Sequence, residues 1–217
     1  VDHALANLHQ IEVPEAVTHN RRKPKLVPAE APAFVRDVTA WIMAGEGDQL
    51  PVSKIPDDGV WPVDTTRWEK RNIALEIPVW EPDLCIQCGK CSLHCPHATI
   101  RTKVYDPAAL KSAPPTFKSV DARGKEYEGK KWTVQVASED CTGCSACVQI
   151  CPGRDKADPD RRAINMAFQP PLRAQERDNY RFFLGIPDPD RSEVRVSTVK
   201  GSQLLRPLFE YPGACAG

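Results

Sequence analysis

Eight of the nine cysteines occupy two copies of one pattern, and nothing else in the chain constrains its fold as strongly. The first copy is Cys85-x2-Cys88-x2-Cys91-x3-Cys95-Pro96, and the second is Cys141-x2-Cys144-x2-Cys147-x3-Cys151-Pro152. Each cysteine of the second copy follows its counterpart by 56 positions. Three thiols separated by two residues each wrap a tight loop around one face of a compact object. The longer gap starts a helical turn and aims the fourth sulfur away from the first three. The proline stops the chain from folding back and lacks an N–H that would need a partner.

This is the run of bacterial ferredoxins, in which three cysteines of one motif hold a cubane [4Fe–4S] cluster and the fourth reaches the other cluster. One cluster is accordingly assigned to Cys85, Cys88, Cys91 and Cys151, and the other to Cys141, Cys144, Cys147 and Cys95. Structural zinc is the competing reading. It favours two separated Cys-x2-Cys pairs, or cysteine with histidine. A disulfide framework expects a short secreted chain with irregular spacings. Neither habit produces this run twice. His94 and His97 read as packing or surface residues, because the cysteines already complete both clusters.

The chain has 217 residues, enough for one or two domains with a real core. Its 29 basic and 29 acidic residues cancel, so bulk charge points to neither nucleic acid nor a lipid surface. No apolar run is as long as a membrane span, and no signal sequence is read ahead of the fold. Thiolate-bound clusters need a reducing compartment, which points to the cytoplasm. The 21 prolines suggest extended, wrapping segments.

Along the chain, Asp2 to Gln10 reads as a short helix. Residues 13–33 are proline-rich and basic, including Arg21-Arg22-Lys23-Pro24-Lys25, and read as a solvated linker. Phe34, Val35, Val38, Trp41 and Ile42 fall on one apolar helical face that Gly45 and Gly47 end. Strands are expected over Ala74 to Trp80, around Ile100, Thr102 and Val104, around Trp132, Val134 and Val136, and around Ile164, Met166 and Phe168. Strand–motif–strand thus occurs twice, which predicts an α+β dicluster module with a pseudo-two-fold repeat. Asp106 to Lys131 is a polar insertion between the motifs, on the surface or gripping a neighbouring domain. A helix follows from Glu176, with Tyr180, Phe182, Phe183 and Leu184 as its aromatic face, and Glu193 to Val199 alternates like a strand. A positive charge favours the reduced form of a nearby cluster. Lys90 is therefore expected to give the first cluster the higher potential.

Beyond the cysteines, the order of segments carries a resemblance. Trp68-Glu69-Lys70-Arg71-Asn72-Ile73-Ala74 is followed by Trp80-Glu81-Pro82-Asp83-Leu84-Cys85, by Cys95-Pro96-His97-Ala98, and by Asp140-Cys141-Thr142-Gly143-Cys144. Then come Glu176 to Leu184, Val199-Lys200-Gly201-Ser202-Gln203, and Arg206 to Glu210. This order resembles the middle of the pyruvate:ferredoxin (flavodoxin) oxidoreductases, closely over residues 60–217 and loosely before them. The resemblance implies a connecting segment over 1–80 with a Glu-Lys-Arg signature, a two-cluster ferredoxin-like domain over 81–189, and the opening of a thiamine-binding domain over 190–217. It implies an electron relay inside a 2-oxoacid oxidoreductase that also holds a third [4Fe–4S] cluster, thiamine diphosphate and Mg2+. Cys215 would be a ligand of that third, proximal cluster. Pyruvate and coenzyme A would bind elsewhere in a homodimeric enzyme, and ferredoxin or flavodoxin would accept the electrons. A free-standing dicluster ferredoxin, or an electron-transfer subunit of another oxidoreductase, is the alternative. No side-chain set for carbon chemistry is read in these residues.

Overall fold

In the computed structural model, which describes residues 6–16, 20 and 25–205, the strands flanking each cysteine motif pair with the other motif's strands. Strand β1 (Glu76–Trp80), before the first motif, runs antiparallel to β5 (Ile164–Phe168), after the second. Strand β2 (Ile100–Tyr105), after the first motif, pairs antiparallel with β4 (Lys131–Val136), before the second. The two motifs are thereby drawn to one another by backbone hydrogen bonds at both ends. Pro78 is tolerated in β1 because a two-stranded sheet has only edges.

The insertion is more than a loop. Its short strand β3 (Val120–Asp121) extends the second sheet to the order β2-β4-β3, and Tyr127 is buried in the core. That core gathers Trp80, Ile100, Val104, Trp132, Val134, Val136 and Ile164, and Cys85, Cys91, Cys95 and Cys151 pack against it. All six residues of β2 are buried. The expected alternation fails there because helix α4 (Arg173–Gly185) covers the other side of the sheet with Tyr180 and Phe183. Lys103 is buried under it, donating to the Ile186 carbonyl, pairing with Asp188 at 2.9 Å and lying over the Phe183 ring.

Other expectations change. The apolar face at 34–42 is only half realised. The segment opens with a π turn, Val35–Thr39, and continues as α1 (Ala40–Met43). The wider turn rotates later residues about the axis. Val35 and Val38 are buried, while Trp41 and Ile42 are 40% and 47% exposed. Gly45, at φ +76°, supplies the left-handed residue that ends the segment. On β5, Ile164 is buried but Phe168 is exposed.

Glu193 to Val199 is not a strand. Asp190 Oδ1 accepts from Ser192 N at 2.7 Å and starts a 3-10 turn over Arg191–Glu193. Thr198 Oγ1 then accepts from Gly201 N at 3.0 Å and caps helix α5 (Val199–Ser202). Val194 and Leu204 join the main core, so residues 190–205 pack on the cysteine-bearing body. In the helix expected over Asp2 to Gln10, residues 2–5 lie outside the described residues and 7–10 are not helical. Arg21 to Pro24, Arg206 to Glu210 and Cys215 also lie outside them. Among the described residues no helix is long and apolar enough to cross a membrane.

Candidate metal centres

The two cysteine loops share a backbone conformation. Gln87 and Gly143, two residues after the first cysteine of each motif, have φ of 58° and 73°. Gly89 and Ser145, each just after the second cysteine, have φ of 73° and 58°. These left-handed residues curl the chain so that an N–H faces sulfur. Gln87 N donates to Cys85 Sγ at 3.3 Å, and Gly143 N to Cys141 Sγ at 3.4 Å. The loops open into two five-residue helices, α2 (Lys90–His94) and α3 (Ala146–Ile150). Both stop at the fourth cysteine, which is extended with ψ of 113° at Cys95 and 119° at Cys151. The following proline enforces this, because its ring excludes the helical region for the residue before it.

Close backbone approach brings the fourth cysteine of one motif to the first three of the other. A Cβ on Gly153 would sit 2.5 Å from the Leu84 carbonyl oxygen and 2.9 Å from Ala163 Cβ. Glycine at 153 therefore lets the chain after Cys151 lie against the chain before Cys85. Ala163 N donating to Gly153 O at 2.9 Å, and Glu81 N to Ala163 O at 2.8 Å, hold that approach.

The thiols sense one another in two sets. Burial raises the pKa of Cys91 most, followed by Cys85, Cys88 and Cys151. Burial also raises Cys85, with smaller contributions from Cys88 and Cys151. Cys147 is pushed up to about 12 by burial, then by Cys141, Cys95 and Cys144. Burial raises Cys141, opposed by the Gly143 N–H and reinforced by Cys95 and Cys144. Each set thus takes three cysteines from one motif and one from the other. Cys95, Cys141, Cys144 and Cys147 line one hollow together with His97 and Met166. Cys141 and Cys147 are buried, Cys144 is exposed and the other five are half-buried.

Iron–sulfur cages fit this arrangement. Among the described residues, no three Cys, His, Asp or Glu side chains converge closely enough to hold a single ion. Several buried polar atoms also lack a conventional partner, including Trp80 Nε1 and His97 Nδ1. Trp80 is oriented to the Cys85 sulfur and opposes the rise in its pKa. His97 lines the hollow of the second set. A buried donor without a partner costs about 1–3 kcal/mol. A donor facing sulfur, as the Trp80 indole faces Cys85, is what cluster sulfides would satisfy. No spacing in the sequence announces that Trp80 and Trp132 share a core with the thiols.

The Glu-Lys-Arg segment clasps the second motif. Lys70 Nζ lies 2.5 Å from Asp140 Oδ2, with side chains 30% and 2% exposed. Asn72 N donates to the Glu139 carbonyl at 3.0 Å, and Ala74 packs against Gly143. Burial raises the pKa of Asp140 and Lys70 opposes the rise. Lys70→Met leaves a buried carboxylate unpaired and is expected to cost about 3 kcal/mol. Urea unfolding measures this cost, and adding Asp140→Asn should recover part of the loss.

The two thiol sets, on strands and short helices paired across the molecule, define an iron–sulfur dicluster protein. The description "4Fe-4S dicluster domain" matches residues 77–152, and the EKR "domain of unknown function" matches residues 20–74. The chain is 52% identical over its whole length to a pyruvate-flavodoxin oxidoreductase of Nostoc sp., covering 19% of that protein. It is 46% identical over 99% of its length to a probable pyruvate-flavodoxin oxidoreductase of Escherichia coli, covering 18% of it. To the pyruvate:ferredoxin oxidoreductase of Moorella thermoacetica it is 44% identical over its whole length, covering 18%. The chain belongs to the pyruvate-flavodoxin oxidoreductase family. It spans about a fifth of the length of these curated relatives, and the similarity includes the first 60 residues, where the sequence resemblance was loose.

Proposed function

We propose that the chain is the electron-relay segment of a thiamine-dependent pyruvate (2-oxoacid):ferredoxin or flavodoxin oxidoreductase. The observation that carries this is the sorting of eight cysteines into two sets of four, each drawing one thiol from the other motif. Cys85, Cys88, Cys91 and Cys151 would hold one [4Fe–4S] cluster, and Cys141, Cys144, Cys147 and Cys95 the other. Such clusters supply one-electron storage at potentials that the surrounding protein sets. The chain's part is to supply deprotonated thiols, aim N–H donors at sulfur, and exclude water with Trp80, Ile100, Trp132 and Ile164.

The shared left-handed turns and the crosswise strand pairing support a pseudo-two-fold module over 81–189, preceded by a proline-rich connecting segment over 1–80. Residues 190–217 would open the thiamine-binding domain, and Cys215 would serve a third cluster near thiamine diphosphate and Mg2+. The relatives' names support pyruvate as substrate and flavodoxin or ferredoxin as acceptor. Coenzyme A, a homodimer and a cytoplasmic setting belong to the same reading.

Iron, zinc and acid-labile sulfide per chain test it, on protein prepared without oxygen. About eight irons and eight sulfides are expected. Stoichiometric zinc without sulfide would overturn the relay.

A further inference from the structure

The two motifs sit in different electrostatic surroundings. Beside Cys141 lies the buried Asp140 carboxylate, matched by Lys70. Lys90, on the first motif, is exposed at the start of α2 and screened by solvent, and a second cation is bound to the same motif through Gln87. It is Lys200, which arrives from more than 100 residues downstream on α5.

Lys200 is held from several directions. Its Nζ donates to Gln87 Oε1 at 3.3 Å and to the Arg123 carbonyl. It lies 4.9 Å from the centroids of both the Tyr127 and Trp132 rings. Gln87 is itself locked at 2% exposure, donating to the Asp121 carbonyl at 2.7 Å and accepting from Arg123 N at 2.7 Å. The Gln87 N–H bonds the Cys85 sulfur, so the lysine is one residue removed from a thiol.

Helix α5 is fastened to the first motif. Ser92 Oγ donates to Gln203 Oε1 at 2.9 Å, and Thr102 Oγ1 to the Gln203 carbonyl at 3.2 Å. A Cβ on Gly89 would stand 3.3 Å from Lys200 Cα, and one on Gly201 would strike the Arg195 carbonyl oxygen at 2.0 Å. Two glycines thus permit the depth at which Lys200 sits. Burial works against its charge, Glu126 supports it, the neighbouring Arg123 opposes it, and Cys85 adds a smaller support.

We propose that Lys200 is a positioning charge that raises the reduction potential of the cluster held by Cys85, Cys88, Cys91 and Cys151. This rests on the relay reading above. An electron added to that cluster increases its negative charge, and a fixed cation in a half-buried site stabilises the reduced form more than the oxidised one. The insertion that supplies Arg123, Tyr127 and Asp121 then serves as the cradle of that charge.

Potentiometric titration followed by electron paramagnetic resonance tests this on the complete protein with its clusters assembled. Lys200→Gln is expected to lower one midpoint by about a tenfold change in the reduction equilibrium, about 59 mV for one electron. The affected signal should be the one that Cys88→Ala removes. Lys200→Arg keeps the charge and should keep the potential. Glu126→Gln, at an exposed position, removes an opposing charge and should raise the same midpoint by a smaller amount, which decides the matter if Lys200→Gln loses its clusters. Unchanged midpoints in the variants that retain eight irons overturn the role of Lys200 and leave the relay standing. An unmodified protein without iron and sulfide fails the relay reading itself.

Discussion

Cys151→Ala is expected to lower the iron content from about eight per chain toward four, and the lost cluster should be the one served by the first motif. The reasoning is positional. Cys151 belongs to the second motif in sequence, but its thiol is grouped with Cys85, Cys88 and Cys91. Gly153 and the hydrogen bonds around Ala163 hold it there. Double variants make the test decisive. Adding Cys88→Ala to Cys151→Ala should remove little more iron, because both residues serve one cluster. Adding Cys144→Ala should remove the rest. The reverse pattern, with Cys144 redundant and Cys88 additive, would mean that each motif fills its own cluster and would refute the crossed assignment. Iron and sulfide analysis on anaerobically prepared protein reads the outcome.

The second large effect is expected at Trp132. Its side chain is 0% exposed at the centre of the main core, on the middle strand of the three-stranded sheet. It is opposite Val104 on one neighbour and Val120 on the other. Trp132→Ala removes the largest side chain there and leaves a cavity, at a cost of about 3–5 kcal/mol. For a chain of this size that is a fall in melting temperature of roughly 10 °C. Trp132→Phe should recover much of it. Val63→Ala, at an exposed turn, should change stability by less than about 0.5 kcal/mol. Because Cys85, Cys91, Cys95 and Cys151 pack on the same core, the alanine variant should also release iron faster on mild heating. A melt indistinguishable from the unmodified protein would contradict the core described here.

Residues whose roles depend on their own neighbours were legible in the sequence. The cysteine spacing announced the tight loops, the helical turn and the proline stop, but not the left-handed residues Gln87 and Ser145. The runs at 76–80, 100–105, 131–136 and 164–168 carried strand character in their branched and aromatic side chains. Where the reading failed, capping side chains, an irregular turn or packing from elsewhere had decided. Glu193 to Val199 alternates like a strand, but Asp190 and Thr198 cap turns there and Val194 goes into the core. Trp41 and Ile42 share a period with Val35 and Val38, but a π turn carries them out to solvent. The polar insertion read as surface or as an arm gripping a neighbouring domain, while in the fold two of its residues extend a sheet and Tyr127 fills the core.

The sequence by itself determined the chemistry: eight thiols in a repeated spacing that suits two cages of iron and sulfide. Only the tertiary structure decided the surroundings of each thiol set. That Lys200 reaches Gln87 of the first motif, and that Trp80 faces the Cys85 sulfur, depends on strands pairing across the molecule and on chain returning from far downstream. Ligand spacing is a local property of the backbone, whereas burial, dielectric and charge are set by whichever segments pack nearby.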